Sequence, residues 1–215
     1  MTELLLKAYQ ERTLAALRGY FDACVRLKGA EKAFAERLSD TDAPLAASPY
    51  RTPMEDLAGL PYVCLRLPTG AGKTLLAAHT PGIARRHLLR ADTCVVLWLV
   101  TSDTIRRQTL DALKDRDHPY RLALERGAGD VEVMDMDQAV GITRARLNGG
   151  TVVIVATIQS FRRDDAQWLR AHRDSSAAMD ALERWEDAPA DAAARLERLE
   201  GDGRPLYSLA NALCL

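Results

Sequence analysis

Pro68-Thr69-Gly70-Ala71-Gly72-Lys73-Thr74 decides how this chain is read. The run before it, Tyr62-Val63-Cys64-Leu65-Arg66-Leu67, reads as a strand, and the residues from about Thr74 to Leu89 follow at helical spacing. A glycine-rich turn between a strand and a helix is the context that gives a Walker A match its weight. Gly70 and Gly72 permit dihedrals and a close backbone approach that a side chain would block. With Thr69 and Ala71 they form a loop whose amides converge, together with the helix N-terminus, on the β-phosphate of a nucleotide. Lys73 would reach the β- and γ-phosphates, and the Thr74 hydroxyl would ligate Mg²⁺. Only five of the 29 basic residues are lysines, so Lys73 does not come from a lysine-rich background. One position departs from the general pattern GxxxxGK[ST]: Leu67 stands where its first glycine belongs. A glycine-rich turn without a ligand is the competing reading. The joint register of Gly70, Gly72, Lys73 and Thr74 at one junction speaks against it.

Working outward, Cys94-Val95-Val96-Leu97-Trp98-Leu99-Val100 and Thr151-Val152-Val153-Ile154-Val155-Ala156 are apolar on both faces, as strands covered by helices on both sides should be. A helix is expected from about Asp103 to Leu113, a short strand near Val131 to Met134, and a helix from there to about Leu147. Alternating strands and helices predict an α/β fold with a parallel sheet flanked by helices. Toward the N-terminus, Leu14, Leu17, Phe21, Cys24 and Val25 recur at helical spacing, so roughly residues 5–37 should form a long amphipathic helix, broken once. Pro44, Pro49, Pro53 and Pro61 mark an irregular connection up to the phosphate loop strand. Beyond residue 161, Asp180 to Asp202 holds eight acidic residues against three basic, read as helices broken near Pro189. Pro205 would then open a last helix, Leu206 to Leu215. That segment has no capping glycine, basic last turn or polar tail, so the chain reads as stopping in mid-element.

Composition sets the outer bounds. The chain has 215 residues, 47% hydrophobic and 27% charged, with a formal net charge of −1. This suits one large globular domain and excludes a wholesale polycation, so any contact with nucleic acid must come from local patches. The longest apolar run, Cys94 to Val100, falls far short of the ~20 residues that cross a bilayer. Cys24, Cys64, Cys94 and Cys214 are far apart and read as buried thiols of a reducing compartment, which implies a cytoplasmic protein with no membrane partner. The four histidines make no cluster with cysteines or carboxylates. Trp98 reads as core.

Pro-Thr-Gly-x-Gly-Lys-Thr without the first glycine resembles the form this loop takes in the superfamily 2 helicases and translocases of DEAD/DEAH-box type. The likeness continues in order. Leu97 to Asp103 with Arg106-Arg107-Gln108-Thr109 looks like the motif after the second strand, and Val153 to Phe161 looks like a later strand-end motif. Tyr9-Gln10 resembles the glutamine that reads adenine upstream of the loop. The closest flavour is the helicase subunit of type III restriction enzymes. The resemblance implies a leading helix and linker over residues 1–60 and a partial RecA-like, P-loop NTPase domain over 61–215. It implies an ATP-dependent DNA helicase or translocase that uses ATP and Mg²⁺, with DNA placed before RNA and a methylase or nuclease subunit as partner. Carried over by residue, it makes Gln10 the adenine contact and gives the nucleic-acid backbone to Thr101, Ser102, Thr157, Gln159 and Ser160.

The chemistry suits each position, and each has a plainer rival. A glutamine amide can pair with the N6 and N7 of adenine; the rival for Gln10 is a solvated helix residue. Hydroxyls and free amides at a strand end suit a phosphate; the rivals are N-capping at Ser102 and a strand-end turn at Thr157 to Ser160. The family usually has proline where Thr101 stands. Arg106, Arg107, Arg162 and Arg163 are candidates for positive charge beside these strand ends, with ordinary solvated charge as the alternative.

One element is missing. In the family an apolar strand ends in Asp-Glu-x-His, which holds Mg²⁺ and activates water, and no strand here ends in Asp-Glu. The resemblance places that strand just after a helix like Leu206 to Leu215. A chain without it, and without a second RecA-like domain, is expected to be hydrolysis-deficient by itself. Two alternatives stay open: a small P-loop kinase, and a nucleotide-binding fragment that never hydrolyses.

Overall fold

A computed structural model describes residues 5–39, 50, 60–140, 142 and 144–161. In chain order its elements are α1 (Ala8–Leu27), α2 (Ala30–Ser39), α3 (Lys73–Ile83), a π-helical segment (Ala84–Leu89), β1 (Cys94–Val100), α4 (Asp103–Lys114), α5 (Pro119–Ala128), β2 (Val131–Asp135), α6 (Met136–Val140), α7 (Arg144–Asn148), β3 (Thr151–Thr157) and a 3₁₀ turn (Ile158–Phe161). The described residues fall into two compact units, one within Met1–Asp92 and Pro119–Gly129, the other within Thr93–His118 and Asp130–Leu215. No described helix is long and apolar enough to cross a membrane.

In the first unit, α1 buries Leu14, Leu17, Tyr20, Phe21, Ala23 and Cys24 along one stripe. The expected single break falls at Lys28-Gly29: Lys28 has a left-handed backbone (φ +51°), and the Gly29 N–H donates to the Cys24 carbonyl at 3.2 Å. This is a left-handed helix C-terminus, and α2 then packs against α1 through Ala30, Ala33 and Phe34.

Residues 60–67 depart from expectation. They belong to no sheet among the described residues, although their exposure alternates as in a strand. Val63, Leu65 and Leu67 lie half-buried against the core of α1, α2 and α3, while Tyr62, Cys64 and Arg66 face outward. A side-chain pattern sets the face of a strand, but only a neighbouring backbone makes a ladder. Here the hydroxyl of Tyr50 takes up backbone groups instead, accepting from the Tyr62 N–H at 3.0 Å and donating to the Leu60 carbonyl at 2.8 Å. The same alternation corrects the cysteine reading: Cys24 and Cys94 are buried, but Cys64 is exposed.

Behind the loop, α3 contains Pro81 and gives way to the π-helical segment at Ala84. A proline in a helix withholds one backbone donor and perturbs the ladder. Helix α5, absent from the sequence reading, packs on α3 where two glycines meet: a Cβ on Gly82 would stand 2.3 Å from the Gly127 carbonyl carbon. Arg86 donates to the Gly82 carbonyl at 3.2 Å within the same crossing.

The second unit is a parallel sheet in the order β1-β3-β2, flanked by helices. Every residue of central β3 is buried. Its Val152, Ile154 and Ala156 pack with Met134, Met136, Ala139 and Ile142. Strand β1, at the edge of the sheet among the described residues, is less covered than its composition suggests. Trp98 is half-buried rather than core, and Leu99 is 44% exposed. The expectations for Asp180–Leu215, Arg162, Arg163 and Cys214 lie outside the described residues.

Candidate nucleotide and nucleic-acid sites

The phosphate loop and α1 meet through two side chains, Tyr9 and Gln10. Gln10 occupies the third position of α1, where its Oε1 accepts from the Lys7 backbone N–H at 2.8 Å. This is one half of a capping box, and it fixes the amide from behind. Its Nε2 then donates to the Ala71 carbonyl at 3.0 Å. The Tyr9 hydroxyl donates to the same carbonyl at 3.1 Å. Gln10 is 6% exposed, so it is not the solvated helix residue that competed with its functional reading.

Both loop glycines have the left-handed dihedrals that their positions demand. Gly70 has φ +79°, with nothing within 4 Å of where a Cβ would stand. Gly72 has φ +75°, and a Cβ there would lie 2.6 Å from Gln10 Nε2. One glycine keeps open space before the loop, and the other makes room for the glutamine beneath it. The Ala71 N–H donates to the Pro68 carbonyl at 3.3 Å, which closes the turn. Gly72 is the N-cap of α3, so the unpaired amides of a helix start arise at this loop. The exposed Lys73 ammonium donates to the carbonyls of Pro68 at 3.0 Å and Leu67 at 3.4 Å. Thr69 is exposed in the turn, and Thr74 is half-buried in the first turn of α3. Open space, a cation and a helix N-terminus at one loop suit a phosphate group.

The other candidates lie in the second unit. Register pairs Val100 of β1 with Thr157 of β3. The residues just beyond, Thr101-Ser102 and Ile158 to Ser160, therefore leave adjacent parallel strands at the same end of the sheet. Ser102 caps α4, its Oγ accepting from the Ile105 N–H at 3.3 Å. The Thr157 Oγ1 lies 2.9 Å from the Ser160 Oγ and accepts from the Ser160 N–H at 3.2 Å. Thr101 and Gln159 are exposed. Capping and the strand-end turn are thus both present, and the hydroxyls of Ser102 and Thr157 already serve the backbone.

Sequence reasoning missed the role of Asp103. Its carboxylate accepts from Arg106 at 2.8 Å and from Arg107 at 3.2 Å, so the two guanidiniums expected to present positive charge share an acid. The hydrogen bond from Arg106 is the main cause that lowers the Asp103 pKa. The spacing i, i+3 and i, i+4 was the available signal. At the opposite end of the sheet, a concavity of about 250 Å³ is lined by Asp130, Glu132, Arg146 and Gly150, with Glu132 and Arg146 already paired. No group of metal-ligating side chains occurs among the described residues.

The family model described as type III restriction enzyme, res subunit, matches residues 3–184 of this chain. No curated protein and no solved structure matches it.

Proposed function

This chain belongs to the type III restriction enzyme res subunit family, within helicase superfamily 2, and from that premise we propose that it binds ATP and Mg²⁺ at residues 69–74. The fold is that of the P-loop NTPases, and the family's domain is helicase-like. The observation that carries the proposal is the loop itself: two left-handed glycines, the Lys73 ammonium and the start of α3 at one place, braced by Gln10. Lys73 moves from its loop carbonyls to the β- and γ-phosphates, and the backbone of residues 69–72 supplies amide donors. Thr74 holds Mg²⁺, which when bound neutralises charge on the phosphate oxygens. Gln10 retains one N–H and one lone pair for the adenine edge.

Thr101, Ser102, Thr157, Gln159 and Ser160 contact a nucleic-acid backbone, DNA before RNA. The support is their exit from adjacent strands at one end of the sheet. A methylase or nuclease subunit is the expected protein partner, and the cytoplasm is the expected compartment. The 215 residues contain no Asp-Glu pair to activate water, so the chain by itself turns ATP over slowly.

The test is titration calorimetry of the full chain with ATP and Mg²⁺. Lys73 is exposed, so Lys73→Ala should leave the melting curve unchanged and weaken ATP at least tenfold. Equal affinity in the two proteins would refute the assignment.

A further inference from the structure

The Ala71 carbonyl accepts two side-chain hydrogen bonds from α1, one from the Tyr9 hydroxyl at 3.1 Å and one from Gln10 Nε2 at 3.0 Å. That carbonyl shares a peptide unit with the N–H of Gly72. No described peptide bond is cis, and in a trans peptide the C=O and N–H point in opposite directions. Holding the carbonyl against α1 therefore directs the Gly72 N–H to the side of the loop away from α1. The two donors approach one oxygen from consecutive residues of a single helix. Gln10 is itself locked by the Lys7 N–H, so the arrangement is rigid from its base.

Glycine at position 72 makes such a brace necessary. With φ +75° and no Cβ, its peptide has less steric resistance to a flip than at any other residue type. A flip would turn the Ala71 carbonyl, a partial negative charge, toward the phosphate in place of an amide donor.

We propose that Tyr9 is a positioning residue for triphosphate binding: with Gln10 it latches the Ala71–Gly72 peptide so that the Gly72 N–H faces the phosphate. This rests on the nucleotide-binding reading above and adds to it a residue that acts on phosphate, not on the base. The latch is base-blind. Loss of the Tyr9 hydroxyl weakens every ligand that carries a triphosphate by the same factor, whatever its nucleobase.

Tyr9→Phe removes the hydroxyl and keeps the ring, and Tyr9 is only half-buried, so the fold should be retained. The experiment titrates ATP, GTP and inorganic triphosphate, each with Mg²⁺, into the full chain, its Lys73→Ala variant and its Tyr9→Phe variant. It also follows the Gly72 amide by ¹H–¹⁵N NMR. The expected result is a loss of roughly two- to tenfold for all three ligands in Tyr9→Phe, the range of one hydrogen bond. The ligand-induced shift of the Gly72 amide should shrink with it, while the melting curve of the free protein holds. Gln10→Ala should give the same phosphate loss in the inorganic ligand, which has no adenine to read. Unchanged affinity in Tyr9→Phe, with binding still lost in Lys73→Ala, overturns the latch alone. A loss confined to ATP also overturns it, because Tyr9 would then act on the base. No binding by the unmodified chain overturns the latch together with the nucleotide-binding reading beneath it.

Discussion

Strand β3 and the stretch from residue 60 to 74 begin from similar sequence and reach different structural ends. Both are apolar runs leading into a turn that carries candidate chemistry. β3 has a parallel neighbour on each side, and all seven of its residues are buried. Residues 60–67 have no ladder among the described residues, and only alternate side chains reach the core. The turn after β3 is set by a backbone ladder and a local hydroxyl pair. The phosphate loop is set instead by side chains that reach it from a helix about sixty residues earlier in the chain. A paired strand positions its terminal turn through the ladder; where no ladder forms, the positioning passes to individual hydrogen bonds.

Substitutions can break this contrast. Ile154→Ala, at the fully buried centre of β3, should cost about 2–5 kcal/mol in urea unfolding, from lost transfer energy and the cavity left behind. Val63→Ala, half-buried in the unladdered stretch, should cost about 1 kcal/mol or less. Equal costs would mean that the two stretches are equally integrated. Gly72→Ala tests the side-chain brace. A left-handed backbone costs a residue with a Cβ about 1–2 kcal/mol, and the new methyl collides with Gln10 Nε2. The expected outcome is a lower melting temperature together with a large loss of ATP affinity. Wild-type values for both would show a loop held less tightly than its hydrogen bonds imply.

The smallest effect is a pH dependence found behind the loop and not in β3, whose described side chains do not titrate. Burial, and secondarily the charge of Arg126, lowers the pKa of His79 on α3. The unfolded chain therefore takes up this proton near the ordinary value of ~6.5, before the folded protein does. Stability is complete above that pH and declines as pH falls toward the lowered folded value. Melting curves between pH 5 and 8 should fall less steeply on the acid side in His79→Gln. Parallel curves for the two proteins would remove His79 from the account.

How much could be read in advance depends on how local each signal is. The phosphate loop was legible because Gly70, Gly72, Lys73 and Thr74 are adjacent, and its dihedrals stem from glycine itself. The apolar runs at Cys94 and Thr151 were legible for the same reason, though not that β3 would lie between β1 and β2. Strand order is a property of distant pairs. Helix α5 escaped notice because its buried face is Arg121, Ala123, Leu124, Gly127 and Ala128. One leucine among small residues and an arginine gives little hydrophobic periodicity, and the partner of Gly127, the backbone at Gly82, lies forty-five residues away. At the candidate sites, Gln10 could be named by resemblance. That its amide would be spanned between Lys7 and Ala71 depended on a fold not visible from α1 alone.

The placement of α5 has a practical consequence for dissecting this protein. The segment that contains it, Pro119–Gly129, groups with the phosphate-loop unit, while the segments on either side group with the sheet. The polypeptide thus passes between the units three times, after Asp92, after His118 and after Gly129. Neither unit is a continuous piece of chain. A fragment that stops at Asp92 would carry the loop and α3 but would leave Gly82 facing solvent where Gly127 should sit. A single proteolytic nick cannot release the unit that carries the loop. Separating the two would require a circular permutation or a linker grafted across the excised sheet segments.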